Sequence, residues 1–460
     1  MNTLGRWIEP RKYTASHHDY FTNHALKVMI IPLLIEQLLQ MVVGMMDTMM
    51  VSYAGEAAVS GVSLDTMFYT IFIFIFTAIA TGGAVVISQY LGSKSKDLAD
   101  LATGQEFRIA GIVSLVCMVL ILVFGNGILQ VLYGSAEPAV MDACRTYLWI
   151  VTLSFPANAI YNAGAAVYRS FGRTRTTMYV SLAMNTINII GNAIGVFGLH
   201  AGAAGVAWPT TISWIFAAVL MTILCTKPEL ETSLHWKYVV RNDKDMMKRI
   251  LNIAIPNAIE SGLFQASKVF LGVLISTYGT YQIAANGIAQ SIWSLAALAS
   301  SAMQPVFITV VGQCMGAEDH DSADYYMRKL SRLTFMMCFA WNLAIVLLLP
   351  LIMKAYNVSA ETKTLIVIMV LIHNLFAGTI QTLAFPLSAG LRAAGDVRFT
   401  LWTSIFCTVG LRVIFSYFFG TVMGLGVIGI TIGMVLDWSV KAIMDWVRFT
   451  GGKWRTMKVI

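Results

Sequence analysis

The sequence predicts an all-α membrane protein: twelve spanning helices in two six-helix lobes related by a parallel pseudo-two-fold repeat. Three observations predict it. Of 460 residues, 57% are hydrophobic and only 12% charged, whereas a soluble globular protein carries ~25% charged residues. Apolar stretches recur along the whole chain, each passing the ~18-residue length of a spanning helix. The chain also matches itself at a nearly constant offset.

In lipid the backbone must satisfy its own hydrogen bonds, so the apolar stretches must be helices. They fall at 28–53, 66–90, 107–124, 143–168, 177–198, 203–226, 248–276, 284–312, 331–350, 362–388, 400–420 and 426–448. The first twenty residues are polar and basic, so no cleavable signal peptide is expected and the first helix directs insertion. The net charge of +7 is no nucleic-acid signal, because the Lys and Arg residues sit in loops, where they set membrane orientation. Arg6, Arg11 and Lys12 precede the first helix, Lys94 and Lys96 follow the second, and Arg169, Arg173 and Arg175 follow the fourth. Lys227, Lys237, Arg241 and Lys244 occupy a long polar loop, and Arg328, Lys329, Arg332, Arg392, Arg398, Lys453 and Arg455 continue the series. The alternate loops, 55–64, 278–283 and 420–424, are nearly free of bases. Both termini are therefore expected in the cytoplasm. The six cysteines show no CxxC spacing and read as small core residues, with no zinc site or disulfide framework.

The repeat organises the chain. A shift of 224 residues brings Ile31-Pro32 onto Ile255-Pro256, Glu36 onto Glu260, Ser52 and Gly55 onto Ser276 and Gly279, Gln89 and Gly92 onto Gln313 and Gly316, and Ala99-Asp100 onto Ala323-Asp324. A shift one residue shorter brings Arg169, Gly172, Arg175 and Thr177 onto Arg392, Gly395, Arg398 and Thr400. Six helices per half is an even number, so both halves enter from the same side, and the axis lies along the membrane normal. The expected division is a cytoplasmic N-terminal segment 1–27, lobes 28–226 and 248–448, a cytoplasmic linker 227–247 and a cytoplasmic tail 449–460. A duplicated bundle with its site at the lobe interface is the usual build of an alternating-access transporter.

Pro32 to Glu36, followed by Met46-Asp47-Thr48, Gly55 and Ala58, resembles the opening helix of the multidrug and toxic compound extrusion (MATE) family. Ser88-Gln89-Tyr90-Leu91-Gly92 is similar to the end of its second helix. Arg169-Ser170-Phe171-Gly172 and Leu391-Arg392-Ala393-Ala394-Gly395-Asp396 resemble its turns after helices four and ten. The resemblance covers nearly the whole chain. It implies a V-shaped pair of lobes and an antiporter in the plasma membrane. Such a protein expels small organic, often cationic, compounds in exchange for H⁺ or Na⁺. Glu260 matches the family's coupling carboxylate in helix seven, and Asp47 its acid in helix one. Two positions depart from the acidic residues that some members carry: Gln381 in helix ten and Asn192 in helix five.

Ionisable residues inside spanning helices cost several kcal/mol unless neutralised or paired, about 3 on insertion scales. Glu36, Asp47, Glu260, Lys268, Arg412 and Asp437 are therefore the functional candidates. Glu36 and Asp47 are close to three helical turns apart, with Gln40 between them, so they form one polar stripe that must face a cavity or the lobe interior. Glu260 and Ser267 repeat the plan, with Lys268 placed beside Glu260 to favour its charged form. Pro32 and Pro256 each free a carbonyl one turn before the Glu. One reading makes the Glu pair satisfy that broken backbone; the other makes Glu36, Asp47 and above all Glu260 the cation-coupling groups. Asn158 and Gln381 occupy matching places. With Gln40 and Lys268 they are candidates for the substrate cleft, although helix packing also accounts for the two matching amides. Asn185, Asn188 and Asn192 line one side of helix five as interhelical glue, and Arg412 and an Asp437–Lys441 pair read as structural. The 26 Met and abundant Phe read mostly as lipid-facing or core residues, with a few offering the cleft an adaptable wall for varied substrates.

Three other classes compete. A lipid-linked precursor flippase of the same superfamily needs a cleft lined with Arg and Lys, whereas the candidates here hold more acid than base. An enzyme is disfavoured because the sequence has no HExxH, no Asp-rich metal motif and no Ser–Lys or Ser–His arrangement. A channel is disfavoured because it has no charged ring or repeated filter. The expected partners are a small-molecule substrate and membrane lipid, with no nucleic acid and no cofactor. The chain is expected to act as a monomer.

Overall fold

The computed structural model describes residues 9–10, 20–134, 136–356 and 358–460. Arg6, Arg11 and Lys12 of the basic N-terminal segment lie outside the described residues. Among the described residues the chain is helical without a strand. The first half contains α1 (Asn23–Ser52), α2 (Glu56–Gly92), α3 (Lys96–Tyr133), α4 (Pro138–Thr152), α5 (Phe155–Ser170), α6 (Thr174–Ala193) and α7 (Ala204–Cys225). A short α8 (Trp236–Val240) lies in the linker. The second half contains α9 (Lys244–Ser276), α10 (Thr280–Ala296), α11 (Leu298–Gly316), α12 (His320–Ala355), α13 (Ala360–Thr379), α14 (Gln381–Ala384), α15 (Pro386–Ala393), α16 (Val397–Ile405), α17 (Val413–Tyr417) and α18 (Gly426–Thr450).

These pieces make twelve rods, because several rods are broken. Among the described residues eleven helices are long and apolar enough to cross a membrane. The fourth rod is cut at Leu153-Ser154, just before Pro156, into helices of 15 and 16 residues. Proline supplies no N–H to the preceding turn, so it starts a new helix better than it continues one. Pro386 starts α15 in the same way, and the tenth rod becomes α13, α14 and α15. The sequence predicts single helices over 284–312 and 362–388; the structure interrupts them at Ala297, Ile380 and Phe385. The second and third rods start earlier than predicted, at Glu56 and Lys96 instead of 66 and 107. The apolar criterion trims polar helix ends that remain helical because they pack within the lobe. Wider π-type turns end the fifth rod at Ile194–Gly198 and the eleventh at Phe418–Val422, so this irregularity is part of the repeat.

The fold divides into two compact units: His24–Ala258, and Ile259–Ile460 together with the segment before His24. In the first unit the small residues Gly195 and Gly205 let α7 touch the end of the fifth rod. A Cβ on Gly195 would stand 2.1 Å from the Gly205 carbonyl oxygen, the close approach that drives helix association in lipid. The same unit fastens the linker. Asp100 accepts hydrogen bonds from Thr232 Oγ1 at 2.9 Å and from the Ser233 N–H at 2.7 Å. Arg108 donates to the carbonyls of Val239 and Val240. The second unit repeats this device through the 224-residue offset. Asp324 pairs with Arg455 of the C-terminal tail at 2.9 Å, and Arg332 donates to the Glu9 carbonyl at 3.0 Å. Glu9 also pairs with Lys329 at 3.0 Å and accepts from Tyr325. Burial raises the Glu9 carboxyl, but Tyr325 and Lys329 outweigh it and hold the group below its usual range. The Ala-Asp repeat noted in the sequence thus has a physical role: each Asp ties down the segment that follows its lobe. Asp100→Ala is expected to free the linker, with faster tryptic cleavage after Lys237 and Arg241 in limited proteolysis. Unchanged cleavage would show that the Arg108 bonds to Val239 and Val240 suffice.

Candidate functional site

In the second unit Glu260 on α9 is the centre of a charged cluster. Arg392, at the end of α15, donates from Nη1 to Glu260 Oε2 at 2.9 Å. Lys441 on α18 donates to Oε1 at 2.7 Å, and Ser404 on α16 donates to the same oxygen at 2.6 Å. Asp445, one turn after Lys441 and fully buried, feels the charges of Lys441, Glu260 and Arg392. The ion pairs of the cluster are those of Glu260 with Arg392 and Lys441. Four helices converge on one carboxylate, an arrangement that satisfies a buried charge only because every partner is present.

Lys268 does not belong to this cluster, contrary to the sequence expectation. Its ammonium lies over the Phe264 ring at 4.9 Å, and its side chain is exposed. Lys268 is two turns beyond Glu260, and Arg392 and Lys441 come from distant sequence positions that helical spacing cannot reveal. Asp437 likewise pairs with Arg412, at 2.7 Å, and Lys441 is taken by Glu260. Arg412 donates on to Ser267 Oγ at 3.3 Å and is held between the rings of Phe264 and Trp438. Gln381 is buried at the break before α14, its Oε1 without a partner among the described residues. Nearby, His373 stacks on Trp293 at 4.9 Å.

In the first unit Glu36 pairs with Arg169 at 2.6 Å and accepts from Thr177 Oγ1 at 3.2 Å. This is the repeat of Glu260 with Arg392, without the additions of Lys441 and Asp445. Asp47 accepts from Asn192 Nδ2 at 2.8 Å. Asn192 also donates to Asn188 Oδ1 at 3.2 Å, and Asn188 to Thr210 Oγ1 at 3.1 Å. Thr177 and Asn192 both lie on α6, so Glu36 and Asp47 face the same helix, as their spacing requires. Gln40 does not share their environment; its side chain is exposed. It lies about 40° round the helix from Glu36 at 3.6 residues per turn, far enough to leave the buried stripe. Asn158 is fully buried, donates to the Tyr69 hydroxyl at 3.4 Å and accepts from Asn162 at 2.9 Å.

Besides Asp445, which lies inside the predicted helix 426–448, two acids escaped the sequence reading because the predicted helices started just after them. Asp65 and Glu106 lie well inside α2 and α3, both fully buried, and no carboxylate oxygen of either has a hydrogen-bond partner among the described residues. Gly83 makes room for Glu106: a Cβ there would stand 2.1 Å from its carboxyl carbon. No group of three or more His, Cys, Asp or Glu residues able to share a metal exists among the described residues.

The MatE family model matches residues 32–194 and 256–418, one copy in each half. The chain belongs to the MatE family. The two matches carry the same 224-residue offset that relates Glu36 to Glu260. The uncharacterized transporter YisQ of Bacillus subtilis strain 168 is 28% identical over 92% of this chain and 93% of its own length. The probable multidrug resistance protein NorM of Bacillus licheniformis is 26% identical over 90% of this chain and 92% of its own length. A solved structure, the outward-facing conformation of a multidrug resistance MATE family transporter, superposes with a TM-score of 0.84 at 21% identity. The match covers 93% of this chain and 96% of that one. At that identity the likeness shows the MatE fold alone. As a member of the MatE family the chain is a transporter and not an enzyme, with multi-pass architecture.

Proposed function

We propose that the chain is an antiporter of the plasma membrane that exports small organic compounds, cationic or amphipathic in kind, in exchange for inward H⁺. The observation that carries this reading is the half-buried Asp47, held by a single neutral amide, Asn192. A carboxyl with no cation beside it can change protonation at small cost, which a coupling group requires. Asn192 donates to Asp47 and leaves it no basic partner in the hydrogen-bond chain. Glu36 and Glu260 each form an ion pair with a basic partner of their own unit, so we assign them to stitching the lobes 28–226 and 248–448 internally. Gln40 and Lys268, both exposed, suit substrate contact; Asn158 and Gln381, both buried, suit packing. The distribution of Lys and Arg supports cytoplasmic termini.

The test is efflux of a cationic dye from vesicles holding the purified protein, with a pH or Na⁺ gradient imposed. A pH gradient is expected to accelerate efflux and a Na⁺ gradient to leave it unchanged. The reverse pattern would assign the site to Na⁺, and indifference to both would end the antiport reading.

A further inference from the structure

We propose that α8, the short helix of the linker, is an interfacial anchor that docks on the anionic lipid headgroups of the cytoplasmic leaflet. The inference goes beyond the antiport reading and needs no assumption about the coupling ion.

The position of α8 follows from its hydrogen bonds to α3. Gln105 donates to the carbonyl of Arg241 at 2.6 Å, and Arg108 Nη1 donates to the carbonyl of Val239 at 3.1 Å. Gly104 lets α8 lie against α3: a Cβ there would stand 2.5 Å from the Tyr238 Cβ. Arg108 fixes the depth. Residues three, four and seven apart share one helix face, and from Arg108 that face runs on through Ile112, Leu115, Val116 and Val119, which are 46–53% exposed. A spanning helix turns such a stripe to the acyl chains. α8 therefore lies where the lipid-facing stripe ends, on the side that the distribution of Lys and Arg assigns to the cytoplasm.

The bonds to α3 use the backbone carbonyls of α8 and leave its outer side chains uncovered. Trp236 is 61% and Val240 77% exposed, one turn apart on one ridge. Lys237 and Arg241 flank that ridge and are exposed. The Lys237 ammonium lies over the Tyr238 ring at 4.5 Å, and Arg241 meets Asp243 at 3.6 Å. From 236 to 248 the chain holds four bases and two acids, so the surface stays positive. The second unit shows that tying down a segment does not require an exposed ring. There Asp324 holds the tail, and Trp454 of that tail is fully buried, its Nε1 donating to the Phe449 carbonyl at 2.9 Å.

An apolar ridge beside a row of bases at the bilayer edge fits a charged lipid surface. Tryptophan and valine enter the headgroup boundary, where the indole ring is dry and its N–H wet. The ammonium and guanidinium groups reach the phosphates. A soluble anion offers the bases the same charge but nothing to Trp236. Docking holds the linker from two sides, by backbone carbonyls on α3 and by side chains on lipid.

The test uses full-length protein carrying Val240→Cys labelled with an NBD fluorophore. Cys117, half-buried, is replaced by Ser; the other native cysteines are buried. The protein is reconstituted in vesicles of phosphatidylcholine alone or with phosphatidylglycerol. Lipid carrying a nitroxide near the headgroup is expected to quench the probe, more strongly when phosphatidylglycerol is present. Salt at ~1 M, which screens charges beyond ~3 Å, is expected to remove that excess. Lys237→Gln with Arg241→Gln is expected to weaken docking on phosphatidylglycerol about five-fold per base. Trp236→Ala is expected to lower quenching in both kinds of vesicle. Quenching by aqueous iodide with none by the nitroxide lipid would leave α8 in water and overturn the proposal. Nitroxide quenching indifferent to phosphatidylglycerol, salt and the two bases would overturn headgroup recognition. Loss of the phosphatidylglycerol excess on adding inorganic phosphate at constant ionic strength would give the bases to a soluble anion and overturn the lipid assignment. None of these readouts needs transport, so failure of the antiport reading leaves the test intact.

Discussion

Asp47→Asn is expected to reduce gradient-driven efflux to the level of vesicles without transporter, while the protein folds and unfolds as wild type. The amide keeps the size of the side chain and can still hydrogen-bond Asn192, which holds Asp47 at 2.8 Å. It cannot take up or release a proton. In an antiporter the cation and the cargo shift one conformational equilibrium in opposite directions, and each does so only by binding the two states unequally. A pH difference of about one unit supplies about 1.4 kcal/mol per proton; a group with no protonation change passes none of it on. Asp47 is suited to this because no base stands against it, unlike Glu36 with Arg169 at 2.6 Å. The measurement is dye efflux under an imposed pH gradient, beside the thermal unfolding temperature in detergent. Wild-type efflux by Asp47→Asn would return Asp47 to a local capping role. Lost efflux together with lost stability would mean that the pair with Asn192 holds the first unit together.

The helices and the repeat were legible in the sequence because both are one-dimensional patterns. Apolar length marks a span, and a constant offset marks a duplication. The matches at Asp100 and Asp324 were visible as identity; their role was not, since it lies in hydrogen bonds to the linker and the tail. Asp65 and Glu106 were hidden by the same rule that found the helices. A window that rewards apolar residues trims a polar helix end, and these acids fell outside spans that in the folded chain start at Glu56 and Lys96. The partners of Glu260 were hidden for another reason. Lys268 is close in sequence on the same helix, whereas Arg392 and Lys441 reach Glu260 from α15 and α18. Spacing along one helix gives the face a residue is on, not what the opposing helix brings to it.

Glu260→Gln is the change expected to cost the most stability. The carboxylate neutralises Arg392 at 2.9 Å and Lys441 at 2.7 Å, and both bases are nearly inaccessible. Removing one member of a buried ion pair leaves an uncompensated charge and costs about 3–5 kcal/mol; here two cations are left with Asp445 alone. Glu36→Gln takes a carboxylate from one base only, Arg169, whose side chain is 22% exposed, so about 1–3 kcal/mol is expected. The order of the two unfolding temperatures, Glu260→Gln below Glu36→Gln below wild type, is the first check. The second is Glu260→Gln combined with Lys441→Met. The thioether keeps the length of the lysine stem and removes one stranded charge, so the double variant is expected to regain part of the loss. A stitching role predicts that recovery, because the damage is electrostatic and local. A coupling role predicts something else: Glu260→Gln would unfold near the wild-type temperature, lose gradient-driven efflux, and gain nothing from Lys441→Met. That outcome would give the coupling proton of the second unit to Glu260, the residue the family resemblance points to, and leave the charged cluster around it as the means by which its charge is released.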